Sequence, residues 1–413
     1  MGPLEGIKVL ELSNFLAAST AGRIMAEWGA DVIKIEPPSG DTYRNNGPYM
    51  NIPIYERGVV GNPNFDNENG NKQWLALDLK SDRGKEIFFR LLEGADVLIT
   101  NYRPAALKKL GISYDDLKER FPRLVFGSIL GYGKKGPDCD KPGFDYTAFY
   151  ARSGLMADAA PRGGDLVNTV AGLGDHTAAT ALVAGINAAL VHRAVTGKGD
   201  LVEASLFQAG CFTLSAGFLS AYSGKPWPRT RFEPNNSTSN TYKCKDGEWF
   251  YLAATAYDKQ WATVAEKVLG RPDLATDPRF VTRKAVEDQG TMEEQVRIMD
   301  EIFATKTYAE WAKIMTDNDV AFEKAQHFTE VVEDPQALEN DYIFYYEYAN
   351  GKRAPFAHAP ATFPNSPWPD FRPAKLTGGD TEAILKEKLG LSQEEIDALM
   401  ADKIVVGPTI TVK

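Results

Sequence analysis

Cysteine is scarce: three residues in 413, Cys139, Cys211 and Cys244, odd in number and far apart. That excludes a disulfide framework and any CxxC metal knot, and it suits a reducing cytoplasm. Histidine is also scarce for a chain this long. His176, His192, His327 and His358 are scattered, with no HExxH pairing, so no metal site is expected. The chemistry must fall mainly to carboxylates, hydroxyls and backbone. No apolar run approaches the ~20 residues that span a bilayer, and the opening MGPLEGIKVLEL has neither the basic nor the apolar region of a secretion signal. A formal net charge of −10 argues against general nucleic-acid binding. A local basic patch could still hold a small anion. The first strand-to-helix turn, LSNFLAASTAG, lacks GxGxxG, and no Walker A sequence occurs. A dinucleotide dehydrogenase and a P-loop enzyme are therefore both disfavoured.

What is present is a globular composition, 43% hydrophobic and 25% charged, in a chain long enough for about two domains. Short apolar runs alternate with helical patterns. Lys8–Leu12, Asp31–Glu36, Trp74–Lys80, Asp96–Thr100 and Leu124–Leu130 read as strands. Ala17–Trp28, Ser81–Glu93, Pro104–Leu110 and Tyr114–Arg120 read as helices, and a long Asn/Gly/Pro-rich loop precedes Trp74. The pattern predicts an α/β fold with a mainly parallel, Rossmann-like sheet. Thr177–Val195 is almost uniformly apolar, a helix buried in the core or at a subunit interface, ending at Thr196-Gly197-Lys198-Gly199. A second apolar helix covers about Ser205–Tyr222. Pro226, Pro228, Pro234 and the polar run 235–240 then mark a linker. Tyr242–Ala253 reads as a hairpin turning at Asp246-Gly247, and Ser392–Glu395 as a capping box. The expected domains are a large one over 1–225, a smaller α+β one over 226–335, and a segment 336–413 returning to the first.

Gly172-Leu173-Gly174-Asp175 runs straight into the apolar helix. An aspartate there is usually a cap. It could equally be a nucleophile, with helix-terminal N–H groups stabilising an oxyanion and the glycines allowing close approach. The motif alone leaves both open.

The surrounding blocks carry more. GPLEGIKVLEL, AGRIMAEWGADVIKIEPPSGD, ENGNKQWLALDLKSDRGKEIFFRLLEGADVLITNYRPAALKKLGI, GYGKKGP, PGFDYTAFYARSGLM and GLGDHTAATALVAGINAALVHRAVTGKGDLVEASL follow one another in order. Together they resemble the class III CoA-transferases, the formyl-CoA and carnitine-CoA transferase type, from residue 3 to about 210 and more weakly beyond. The resemblance implies a homodimer of interlocked rings. It implies covalent intermediates on Asp175: a mixed anhydride, then an aspartyl-CoA thioester. No cofactor is then needed beyond the CoA thioester that serves as substrate.

The same resemblance places CoA contacts at Leu16 and Ala17, at Asn69, Gly70, Asn71 and Lys72, at Asn101, Tyr102 and Arg103, at Lys109, and in Lys141–Phe144. Lys72, Arg103, Lys109 and Lys141 would supply cations for the phosphates, while Lys108 and Lys135 read as ordinary solvated lysines. Pro37 stands where relatives often carry a basic residue. Asp145 matches an acidic position near the nucleophile, which it would orient or tune, or it is simply a structural aspartate. Family racemases carry a shuttling histidine where this chain has Phe144, which disfavours racemisation. His176 would help position the site. Leu16 is apolar where oxalate-specific members are polar, so an apolar acid is expected. The PGFDYTAFYARSG and GLGDH segments resemble the branch serving amino-acid fermentation, which passes CoA from an acyl- or enoyl-CoA to (R)-2-hydroxyisocaproate or (R)-phenyllactate, upstream of a 2-hydroxyacyl-CoA dehydratase. A racemase-like isomerase, a transferase for another acid, and a non-catalytic CoA-binding protein stay open as alternatives.

Overall fold

A computed structural model describes residues 2–46 and 61–409. Its first half alternates strands and helices: β1 (Lys8–Leu12), α1 (Ala17–Glu27), β2 (Asp31–Glu36), α2 (Pro63–Asn69), β3 (Gln73–Leu77), α3 (Asp82–Glu93), β4 (Val97–Thr100), α4 (Pro104–Leu110), α5 (Tyr114–Leu117) and β5 (Val125–Leu130). A single wide-turned helical segment, Asp145–Ala151, follows. Then come the short α6 (Leu155–Asp158), the long α7 (Leu173–Thr196), β6 (Leu201–Ser205), α8 (Leu206–Thr213) and α9 (Ser215–Tyr222).

Strands β1 to β6 form one parallel sheet in the order β3-β2-β1-β4-β5-β6, and a C-terminal strand, Val405–Val406, adds antiparallel to β3. β2, β4 and β5 are near-continuously buried, as a parallel sheet covered on both faces requires. Leu10, Ile33, Leu75, Leu98 and Phe126 share one core with the helices over that face. The chain leaves β1 toward β2 and leaves β4 toward β5, so strand order reverses between β1 and β4. Crevices at the C-terminal ends of strands flanking such a reversal are where ligands bind in open α/β sheets.

The segment between β1 and α1 sits on a buried ionic cluster. Lys34 Nζ lies 3.0 Å from Glu11 and 2.9 Å from Asp41, and Lys72 Nζ 2.7 Å from Glu11, all fully buried side chains. Ser13 and Ser19 complete the cluster by accepting from Lys34. Above it Phe15 is held at φ 64°, a left-handed conformation unusual for an aromatic residue. Asn101, at the end of β4, clamps the same loop, accepting from the amide of Asn14 and donating to its carbonyl.

α7 is longer than the sequence suggests. By length and composition it could cross a membrane, contrary to the expectation that no such run exists. Here it lies against the sheet. Gly127 of β5 leaves room for Ile186, and Gly185 of α7 leaves room for Val202 of β6; a Cβ at either would meet those side chains at 2.7 and 2.5 Å. Its outward residues, Val191 and Val195 among them, are exposed.

The chain divides into two compact units: 2–155, 168–218 and 335–409 in one, 156–167 and 219–334 in the other. The expected boundaries lay at 226 and 336, and the short excursion 156–167 was not anticipated. The second unit holds a three-stranded antiparallel sheet, Ser239–Lys243, Trp249–Ala253 and Phe322–Lys324, covered by helices around Trp261, Phe303 and Trp311. The hairpin turns at Gly247, whose φ of 91° needs glycine. α2 stands where only loop was expected. Its start is signalled in the sequence by Asn62, which caps Phe65 N–H, and by Pro63 at the first helical position. Residues 47–60 of that loop lie outside the described residues.

Candidate active site

At the β1/β4 reversal, within the first unit, a cleft of about 370 Å³ opens beside Asp175. One wall is the turn after β1, with Leu16 and Ala17. Another is the end of β4 and start of α4, with Asn101, Tyr102 and Arg103. Lys141, Phe144 and Asp145 close the third side. Phe144 and Asp145 are brought there by a tight backbone crossing: a Cβ on Gly131 would meet Gly143 Cα at 2.7 Å. Only glycine permits that approach, which accounts for Gly131 of GYG and Gly143 of PGFD.

Asp175 occupies the third residue of α7. The capping position itself is Gly172, at φ 91°, and no side chain caps the helix locally. Asp145 does that work from a distance. Its Oδ2 accepts from Gly172 N–H at 2.6 Å and its Oδ1 from Gly174 N–H at 2.8 Å. A carboxylate accepting two backbone donors gains ~1.5–3 kcal/mol from each. Gly174 is required for this contact, since a Cβ there would lie 2.3 Å from Phe149 and 2.5 Å from Asp145 Oδ1. The amides of Gly172 and Gly174 are therefore committed to Asp145. They are not free to serve an oxyanion, as the sequence had suggested helix-terminal N–H groups might.

Burial raises the Asp175 carboxyl to about 7, and the neighbouring carboxylates Asp145 and Glu68 push in the same direction. Burial also raises Asp145, against the pull of its two amide donors. Beside them Glu68, buried on α2, lies 3.1 and 3.2 Å through its two oxygens from His176 Nε2. Burial alone would raise Glu68, but the His176 charge and the Thr20 hydroxyl overcome it and hold the carboxyl down at about 2. The same pair raises His176 to about 9, with the Glu68 charge the largest cause. His176 is then an imidazolium at neutral pH, donating Nε2–H to Glu68. Sequence reading missed Glu68 because the turn of helix that carries it was read as loop.

Leu16, Ala17, Asn101, Tyr102, Arg103, Lys141, Phe144, Asp145 and Asp175 all line the cleft. Arg103 and Lys141 are exposed there, and Lys141 Nζ stands 5.5 Å from the centre of the Tyr132 ring. The other expected contacts are placed elsewhere. Lys72 is corrected from phosphate ligand to structural cation: its buried Nζ donates to the carbonyls of Ser19 and Glu68 and to Asn69 Oδ1, and pairs with Glu11. Burial lowers it to about 8. Asn69 is wholly buried. Gly70 packs against Phe371, and Asn71 exchanges hydrogen bonds with Arg372, so the C-terminal segment covers them. Lys109 is exposed on α4 but outside the cleft lining. Among the described residues no group of three or more His, Cys, Asp or Glu could hold a metal ion.

Residues 4–381 match the family model for CoA-transferase family III. An (R)-2-hydroxy-4-methylpentanoate CoA-transferase of Clostridioides difficile is 40% identical over 402 residues, covering 97% of this chain and 99% of that one. A cinnamoyl-CoA:phenyllactate CoA-transferase of Clostridium sporogenes is 39% identical over 404 residues, covering 97% of each. Among solved structures, a CAIB/BAIF family protein from Brucella suis superposes with a TM-score of 0.78 at 28% identity, over 94% of this chain and 99% of that one. The chain is an enzyme of the CoA-transferase type and belongs to CoA-transferase family III.

Proposed function

We propose that the protein transfers CoA from an acyl- or enoyl-CoA to a 2-hydroxy carboxylic acid, (R)-2-hydroxyisocaproate or (R)-phenyllactate, through covalent intermediates on Asp175. The observation that carries the mechanism is the placement of a half-buried carboxylate, raised to about 7, in a cleft whose walls include Arg103 and Lys141. Those cations suit the phosphates of CoA. The donor and acceptor classes come from the two clostridial relatives, each about equally similar to this chain.

The chemistry balances without an external proton. An Asp175 oxygen attacks the thioester carbonyl and CoA thiolate leaves, giving an acyl–aspartyl anhydride. The thiolate attacks the aspartyl carbonyl and releases the donor acid as carboxylate, leaving an aspartyl-CoA thioester. The acceptor carboxylate attacks that thioester, expelling thiolate and forming a second anhydride. The thiolate then takes the acceptor acyl group and returns Asp175 as carboxylate. Asp145 takes no part in bond making; it fixes the turn that presents Asp175.

Hydroxylamine added after acyl-CoA should leave a hydroxamate on Asp175, read by mass spectrometry of its peptide. Absence of that mark, with CoA exchange retained in Asp175→Ala, would sink the mechanism. A panel of acceptor acids then separates branched aliphatic from aryl specificity. A racemase-like reading predicts deuterium wash-in at the α-carbon without any acceptor, and Phe144 in the cleft wall offers no base for it. We also infer a homodimer, in which a second copy covers the outward apolar residues of α7 and α8 such as Val195 and Phe212. The hydroxyacyl-CoA product is a substrate for a dehydratase that removes its 2-hydroxyl.

A further inference from the structure

The proposed reaction brings a free carboxylate to a place already rich in negative charge. Asp145 and Glu68 both act on Asp175 with like charge, and the donor acid must leave, and the acceptor acid enter, beside them. Like charges gathered in a partly buried site repel more strongly than they would in water. The amides of Gly172 and Gly174 offer no relief, being bound by Asp145. Arg103 and Lys141 stand on the walls that would receive CoA.

His176 is differently placed. Its Nε2 is fixed by Glu68, whose side chain is 3% exposed, while the imidazole itself is 45% exposed. The ring lies on the Leu16 side of Gly172: a Cβ built on that glycine would have Leu16 Cδ2 at 3.1 Å and His176 Nε2 at 3.6 Å. Leu16 in turn lines the cleft beside Asp175, and His176, the next residue after Asp175, adjoins that lining without being part of it. Nδ1 has no hydrogen-bond partner among the described residues, so the imidazolium keeps one N–H to give. The charged groups acting on the ring are Glu68 from α2, Asp175 from its own helix and, opposing them, Arg23 from α1. Asp145, from the turn before α6, is acted on by the ring in the same way.

We propose that His176, anchored by Glu68, is the group that receives the carboxylate of the free monocarboxylic acid, Nδ1–H donating to one of its oxygens beside Asp175. This rests on the reading of Asp175 as nucleophile. It makes His176 a substrate-binding residue and Glu68 a positioning residue that keeps the ring charged and turned.

Steady-state kinetics with each substrate varied in turn tests it. In His176→Leu and in Glu68→Gln, KM for the acceptor acid should rise at least tenfold while KM for acyl-CoA stays within twofold. His176→Asn, which keeps an N–H near the Nδ1 position, should recover part of the loss. In the unaltered enzyme, acceptor KM should climb above pH ~9 as the imidazolium loses its proton. An acceptor KM within twofold of wild type in both His176→Leu and Glu68→Gln overturns the inference while leaving Asp175 as nucleophile. Should either variant fail to fold, the pH dependence of acceptor KM in the unaltered enzyme decides, and a flat profile to pH 10 overturns it. A wild-type enzyme that yields no hydroxamate at Asp175 removes the nucleophile, and this inference with it.

Discussion

Replacing Asp175 by asparagine should make the protein more stable, and more so as pH rises. The carboxyl titrates near 7 rather than at the ordinary 3.8 because it is buried beside Asp145 and Glu68. A raised carboxyl binds its proton more tightly folded than unfolded, so stability falls as pH climbs from about 4 through 7. At ~1.4 kcal/mol for each tenfold change in proton affinity, full ionisation costs about 4 kcal/mol, and water reaching the open cleft reduces that to ~2–4 kcal/mol. Asparagine has nearly the same shape and never ionises. The expected gain is ~1 kcal/mol at pH 5 and ~2–4 kcal/mol at pH 8, with the difference flat above that. For a unit of this size a kilocalorie is worth ~1–2 °C, so calorimetric melting of both proteins at pH 5, 6.5 and 8 resolves it. Equal melting temperatures at all three values would refute the strain assigned to the ionised nucleophile. A gain independent of pH would place the effect elsewhere.

The same titration governs rate. Since ionised Asp175 is the attacking species, kcat/KM for acyl-CoA should fall about tenfold per unit as pH drops below about 7; a profile flat from pH 5 to 8 contradicts it. Gly174→Ala should lose at least ~100-fold in activity and ~2–4 kcal/mol in stability, because its Cβ meets Phe149 and Asp145 at under 3 Å; assay and thermal melting of the variant check both, and wild-type values would disprove the contact. Arg103→Ala should raise KM for acyl-CoA about tenfold with stability unchanged. Lys72→Met should do the reverse, costing ~3–5 kcal/mol by leaving the buried Glu11 Oε2 without its cation, with only Oε1 still held by Lys34, while leaving that KM within twofold, so paired kinetics and urea titrations tell the two cation roles apart.

The contrast between Lys72 and Arg103 shows where sequence stops informing. Both are basic residues in blocks that resemble a CoA-transferase, and spacing does not distinguish them. What separates them is that Lys72 directly precedes β3, a buried strand set one strand (β2) away from β1, which carries Glu11; the pairing is visible only once β1, β2 and β3 are in register. The parallel sheet was legible because its strands are short apolar runs between amphipathic helices, a local signal. The helix carrying Glu68 was harder to see. Its seven residues, PNFDNEN, have low helical propensity and are marked only by Asn62-Pro63 at the start. Glu68 thus joined the site through tertiary contact with α1 and α7 and not through any motif.

The two readings of Asp175, cap or nucleophile, need not be weighed against each other, because the fold gives the jobs to different residues. A helix start leaves N–H groups that need an acceptor. Here Asp145, 27 residues before Gly172, reaches in and takes two of them. Asp175, freed from capping, sits in the first turn with its carboxylate on the cleft. The two glycines of GLGD serve that division: Gly172 supplies the left-handed turn, and Gly174 lets Asp145 come within hydrogen-bonding distance of the backbone. The consequence is energetic as well as geometric. With Asp145 bound to the turn and Glu68 bound to His176, acylation of Asp175 removes the one carboxylate in the group that has no hydrogen-bonded partner among the described residues. Part of the cost of forming the anhydride is offset by relief of that repulsion, and restoring the carboxylate at the end of the cycle restores it.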